Sequence, residues 1–413
     1  MFRSTIVSIA HLGHRLEGDE GVNSSPPPGA AGEPTGANEA AATEAGGVGR
    51  PALADDGDRS LGHDPLAPSR TPSSPRRDVL CAGLVFLDIV FTGLPSPPML
   101  GREIWSEGMG SCPGGVANVA VALSRLGLRT TLAAPFGADA YGDFCWQVLE
   151  EEEGVDLSRS RRFRGWHSPV TISMAYERDR ALVTHGHPSP IPFDEIIGVP
   201  PQCRAVVRSL AEEPEAWPNL ARKDGALVFA DVGWDPSENW SADTLRQLAD
   251  VDVFLPNEAE AMAYTRTDTA EEALAALTER VPIAVVTLGP DGAIANDQNT
   301  GESVRVPGLA TDALDPTGAG DVFVAAFTTG TLAGWPLEYR LRFAVLCAGL
   351  SVRHFGGSLS APGWADIAAW WTDAGAADTG LAKAYGFLTD VLPAGAVKPV
   401  TRAPATIGLR PDR

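Results

Sequence analysis

At 413 residues the chain exceeds one average domain, and its 44% apolar and 21% charged residues are ordinary for a soluble globular protein. A formal net charge of −21 argues against nonspecific binding to nucleic acid or to anionic membranes. The cysteines (Cys81, Cys112, Cys145, Cys203, Cys347) are few, odd in number and scattered, so they suggest no zinc site and point to a reducing compartment.

In chain order, the first eleven residues, Met1 to His11, make a poor signal peptide, and no apolar run approaches a membrane span; a cytoplasmic protein without a membrane partner is expected. Residues 18–77 are Gly, Ala, Pro, Ser, Asp and Glu with almost no aromatics. Such a segment cannot bury enough apolar surface to offset chain entropy, so 1–77 reads as a disordered, low-complexity extension. The strand-like run Val79–Leu87 opens the globular part, expected over 78–375, with 376–413 as an irregular tail. Between Val79 and Pro362, apolar runs at 130–135, 226–230, 251–255 and 283–287 alternate with helical patterns at 118–126 and 145–153. That rhythm favours an α/β fold, a mostly parallel sheet with helices on both faces. Alternating stretches with turn residues break it at about 101–112 and 164–188, which fits a small β-sheet lid. The runs Glu150–Glu153 and Arg159–Arg164 read as solvated surface, and His185 and His187, at the end of the lid, as loop residues.

The segment Asp315-Pro316-Thr317-Gly318-Ala319-Gly320-Asp321 carries the most chemistry. An apolar helical pattern follows it at once, so its backbone N–H groups lie at a helix start, where the dipole favours an anion. Gly318, Ala319 and Gly320 have almost no side chain, so a phosphate can approach those groups closely. Asp321 is a carboxylate beside a bound anion, a costly arrangement unless it takes a proton from an attacking hydroxyl. The reading is phosphoryl transfer to an alcohol; the bland alternative is a Gly-rich turn capping a buried helix. Elsewhere, Asp88 follows the first strand and can accept two hydrogen bonds from neighbouring hydroxyls. Gly114, Gly115 and Asn118 start the next helix, and Asn257 and Glu260 share one side of a helix's first turn. Thr287, Gly289 and Gly292 lie where a strand runs into a turn, for which a tight hairpin is the alternative. Gly137–Asp143 reads as a turn with an N-cap.

The 315–321 run, with Ala325 and Ala326 behind it, resembles the C-terminal signature of the ribokinase (PfkB) family of sugar and nucleoside kinases. Gly114-Gly115, Asn118 and Arg125-Leu126-Gly127 resemble its N-terminal pattern, with the Gly pair one residue closer to Asn and without the lysine ribokinases often carry. Asn257–Glu260 resembles the N-x-x-E motif that organises Mg²⁺, and Thr287–Gly292 the T-x-G-x-x-G loop on the nucleotide side. The resemblance, over Val79 to Pro362, implies a Rossmann-like (ribokinase-like) fold and an ATP-dependent kinase for a sugar or similar polyol. It implies Asp321 as general base with the backbone of Gly318, Ala319 and Gly320 steadying the phosphoryl group, and Asp88, Gly114, Gly115 and Asn118 holding the acceptor. Asn257, Thr287, Gly289, Gly292, Gly318 and Gly320 would hold ATP, with Mg²⁺ placed through water by Asn257 and Glu260. Asp315 would hold a monovalent cation such as K⁺, Asp231 would stand near the phosphates, Ala348-Gly349 and Gly356-Gly357-Ser358 would wall the adenine slot, and a homodimer could form through the lid. The alternatives are a nucleoside kinase of the same fold and a catalytically inactive ligand-binding regulator.

Overall fold

The run Val79–Leu87 is not one strand: it breaks at Gly83-Leu84 and feeds two sheets. In the computed structural model, which describes residues 63–402 except 177–178, 211–213, 234, 236, 378 and 396, β1 (Val79–Ala82) is central to a large sheet and β2 (Val85–Thr92) belongs to a small one. The strands that follow are β3 (Gly108–Gly115), β4 (Thr130–Ala133), β5 (Pro135–Gly137), β6 (Arg161–Phe163), β7 (Val170–Tyr176), β8 (Asp179–His185), β9 (Ala205–Ser209), β10 (Leu227–Asp231), β11 (Val253–Phe254), β12 (Ile283–Thr287), β13 (Ala293–Asp297) and β14 (Glu302–Val306).

The large sheet runs β14-β13-β12-β11-β10-β9-β1-β4. It is parallel from β12 to β4, and β13 and β14 add an antiparallel edge. Its central strands read as unbroken apolar runs because both faces are covered. Successive side chains alternate between those faces. Val79 and Cys81 pack with the helices Val116–Arg125, Ala319–Leu332 and Leu337–Ser351, whereas Leu80 and Ala82 pack with Trp217–Lys223 and Ala270–Thr278. This is the expected α/β architecture.

The small sheet runs β3-β2-β7-β8. β2 pairs antiparallel with β3 and parallel with β7, and β7 forms a hairpin with β8. The lid was expected from two segments only; β2 is its inner strand as well. Asp88 therefore does not follow a core strand but lies mid-strand in the small sheet, opposite Cys112. A continuous apolar run cannot reveal which sheet each half joins.

Of the expected extension 1–77, positions up to 62 lie outside the described residues. From His63 the chain is packed: Leu66 is fully buried in the core, and Arg70 grips Asp78 through two hydrogen bonds of 2.8 Å. At the other end, the expected irregular tail holds the helices Thr379–Tyr385 and Leu388–Val391, and Tyr385 and Leu388 join the core. Glu153, expected on a solvated face, is buried against Arg125, with Nε and Nη2 donating to its two carboxylate oxygens at 2.8 and 2.7 Å. The remaining donors of Arg125 reach the carbonyls of Leu359, Ala361 and Thr401. All five cysteines are buried and unpaired. Among the described residues, no helix is long and apolar enough to cross a membrane.

Candidate active site

The helix Ala319–Leu332 starts without a side-chain cap. Its N-cap, Gly318, sits at φ 77°, a conformation that costs other residues strain, and a Cβ there would stand 3.1 Å from the Gly357 Cα. Asp315 holds this turn in place. Its Oδ1 accepts from the Thr317 N–H at 2.9 Å and its Oδ2 from the Gly356 N–H at 3.1 Å, so both oxygens of the expected cation ligand are engaged by backbone. Asp321, in the first turn, is 1% exposed, and the Asn118 amide Nδ2 donates to its Oδ2 at 2.9 Å across 203 residues of sequence. The Asn118 Oδ1 is buried without a hydrogen-bond partner among the described residues.

Asp88 faces the same place from the small sheet. A Cβ added at Gly114 would overlap its carboxylate, so only glycine lets β3 pass beneath that acid. Gly115 is the N-cap of the helix Val116–Arg125. Asp88, Asn118, Thr317 and Gly318 line one pocket together with Thr171 and Ser173 of β7. Sequence reasoning missed those two lid residues; the signal was the alternation Thr171, Ile172, Ser173, Met174, in which the polar members share one face. Gly357, expected with Gly356 and Ser358 to wall the adenine slot and a monovalent cation site with Asp315, also stands close to this pocket. A Cβ on Gly357 would meet the Asn118 Oδ1 at 2.8 Å and the Asp88 Oδ2 at 3.6 Å, which puts this residue on the Asp88 side.

On the opposite flank, Asn257 and Glu260 form a reciprocal capping box. The Asn257 Oδ1 accepts from the Glu260 N–H at 3.0 Å, and the Glu260 Oε2 accepts from the Asn257 N–H at 3.1 Å. That spends the amide oxygen of Asn257 on the helix start, but the Glu260 Oε1 stays buried with no partner among the described residues. Asp231 ends β10 and is 3% exposed. Burial pushes the Glu260 carboxyl well above the usual carboxylate range, and the nearby Asp231 and Asp321 push it further; burial and Asp321 do the same to Asp231. Three buried acids facing one another and an orphaned carboxylate oxygen form the oxygen-rich donor set that suits Mg²⁺. Thr287 lies beside Asn257, its N–H bonded to the Pro256 carbonyl at 3.1 Å. Gly289 is exposed at the turn after it. Gly292 is buried in the β12–β13 turn, where an added Cβ would collide with the Val306 carbonyl. Asp139 caps the helix Ala140–Gln147 through the Gly142 N–H at 2.7 Å, as the turn-and-cap reading of that loop expects.

The sequence profile of the pfkB family carbohydrate kinases matches residues 106–189 and 211–364, more than half of the chain. This chain belongs to the pfkB family. Its relatives in the family include the ATP-dependent 6-phosphofructokinase of Thermoanaerobacterium thermosaccharolyticum, 24% identical over 308 residues that cover 69% of this chain and 91% of the relative. The ribokinase of Lactococcus lactis is 26% identical over 296 residues, covering 70% of this chain and 94% of that one. Among solved structures, Arabidopsis thaliana ribokinase complexed with ribose and ATP superposes with a TM-score of 0.58 at 25% identity, covering 70% of this chain and 96% of the other. PfkB-family kinases are ATP-dependent phosphotransferases. The sheet with helices on both faces and a separate small sheet is thus the ribokinase-like fold of this family member.

Proposed function

We propose that this chain transfers the γ-phosphoryl group of ATP to a hydroxyl of an uncharged sugar or similar polyol. The observation that carries the reading is the Asn118–Asp321 hydrogen bond, which fixes a buried acid at an uncapped helix start beside the polar pocket under the small sheet. Asp88 accepts from acceptor hydroxyls, and the unpartnered Asn118 Oδ1 offers a second acceptor atom. Asn118 Nδ2 holds the Asp321 carboxylate, which takes the proton of the attacking hydroxyl as its oxygen bonds to phosphorus and ADP leaves. The N–H groups at the start of the helix Ala319–Leu332 steady the charge on the transferring group. Mg²⁺, placed by Glu260 and Asn257 through their waters, would neutralise the nucleotide phosphates. Thr287 and Gly289 flank the nucleotide, and the small sheet excludes water. Two copies joining through the exposed β8 edge belong to the same reading.

An uncharged acceptor follows from the lining. Among the described residues the pocket holds no lysine or arginine, Asp88 repels anions, and Arg125 is consumed by Glu153 and three carbonyls. A coupled ADP-release screen with Mg·ATP against neutral sugars, sugar phosphates, sugar acids and nucleosides should therefore respond to a neutral sugar. A response to sugar phosphates alone would overturn the uncharged acceptor, and silence from protein shown to bind ATP would overturn the kinase reading. Once the acceptor is found, Gly114→Ala should raise its KM at least about tenfold and leave the KM for ATP within about twofold, because the new methyl displaces Asp88. Equal changes in both constants would remove Asp88 from acceptor binding.

A further inference from the structure

Three histidines converge where the β7–β8 hairpin leaves the body of the protein. His167 precedes β7, His185 ends β8, and His187 follows it. One ring nitrogen from each lies within 4.8 Å of the other two. His167 is half-buried and the other two are exposed, so the group is open to solvent on one side. The cysteines are all buried, so among the described residues no thiol competes for a soft or borderline ion.

The protonation pattern favours a cation. The His167 Nδ1 lies 3.1 Å from the Ser168 carbonyl, an acceptor only, so this nitrogen carries the proton and donates. That leaves the Nε2 lone pair of His167 directed toward the His185 Nε2, 3.2 Å away. A ring N–H bonded to a backbone carbonyl with the other nitrogen pointing into a cluster is the arrangement that orients metal-ligating histidines. Zinc–nitrogen bonds of about 2.0–2.1 Å in a tetrahedron put neighbouring nitrogens roughly 3.4 Å apart, close to this spacing. The third nitrogen reaches the same position by side-chain rotation, which an exposed histidine does freely.

The backbone around the cluster is already anchored. The Ser168 N–H donates to the Asp139 Oδ2 at 2.8 Å, and the Ser168 Oγ accepts from the Gly137 N–H at 3.0 Å. On the other side, the Trp166 indole N–H donates to the Pro188 carbonyl at 3.0 Å, which clamps the two roots of the hairpin together. Little ordering is left to do on binding.

We propose that His167, His185 and His187 form a binding site for one divalent transition-metal ion of the zinc class, with a fourth position open to water. The site differs in kind from the carboxylate cluster of Asp231, Glu260 and Asp321, whose oxygens suit Mg²⁺; imidazoles suit zinc, copper or nickel instead. The ion would bridge the two roots of the hairpin that carries Thr171 and Ser173 into the acceptor pocket. Because only neutral imidazole binds a metal, affinity should fall as the solution is acidified.

The test is calorimetric titration of ZnCl₂ into chelator-treated full-length protein at neutral pH, repeated with His185→Ala and His187→Ala. Both positions are exposed, and unchanged thermal melts in the absence of zinc would confirm that the variants fold. The expected result is one site per chain in the parent, weakened more than about tenfold in each variant. Cobalt(II) in place of zinc should give the visible absorption of tetrahedral coordination, also lost in both variants. No zinc binding by the parent, or binding unchanged in both variants, as His11 or His14 would produce, overturns the proposal.

Discussion

Asp321→Asn is expected to lower the rate of acceptor-dependent ADP release by about 10²–10⁴-fold, the usual contribution of a positioned general base. The substitution is nearly isosteric, and its amide oxygen can still accept the Asn118 N–H, so the geometry around the helix start survives. What disappears is the capacity to take a proton. Nucleotide affinity should stay within about threefold, because the backbone N–H groups proposed to meet the phosphates are untouched. The melting temperature should hold or rise, since the change removes one of three mutually repelling buried acids. Steady-state kinetics with a nucleotide-binding assay on the same preparation decides it. A variant that keeps more than about a tenth of the activity would assign the proton to another group.

The second large effect is on stability. Arg125→Ala should cost about 3–5 kcal/mol, because it strands the buried Glu153 carboxylate and removes donors from three carbonyls at once. Arg125 is 2% and Glu153 3% exposed, so water cannot take over either role. Replacing both, as Arg125→Met with Glu153→Leu, should cost much less, since no unpaired charge then remains buried. Urea denaturation of the two variants and the parent separates the cases. A single variant that loses less than about 1 kcal/mol would mean that the pair is solvated in solution.

The parts of the site that were legible in the sequence are those whose chemistry is local. The 315–321 run announced a helix start with small residues and an acid, and the structure builds such a start, with Gly318 left-handed and Asp321 in the first turn. Asn257 and Glu260 are three apart and meet as a capping box. What stayed hidden depends on the distant chain. Nothing near Asn118 signals that its amide will hold an acid 203 residues later, and nothing near Gly114 signals that its missing side chain makes room for Asp88. The switch of Val79–Thr92 between two sheets was invisible for another reason: both sheets bury the residues that face them, so hydrophobicity is the same on either side of Gly83. Leu66, Tyr385 and Leu388 were passed over because single apolar residues in Pro-, Gly- or Ala-rich surroundings show no period.

The reach of Arg125 bears on how the protein is made. Its guanidinium is translated 276 residues before the Thr401 carbonyl that accepts from it, which at about 5–20 residues per second is a delay of roughly 15–55 seconds. For most of that interval Asn118, on the same helix, has no Asp321 to hold, since that acid is translated 203 residues after it. The pocket under the small sheet, which Thr317 and Gly318 also line, is therefore completed only late in synthesis. Half-made molecules on the ribosome have the anchor, Asn118, but not the acid, and a C-terminal truncation that removes Thr401 should be felt first at Arg125, far from it in sequence but in direct contact.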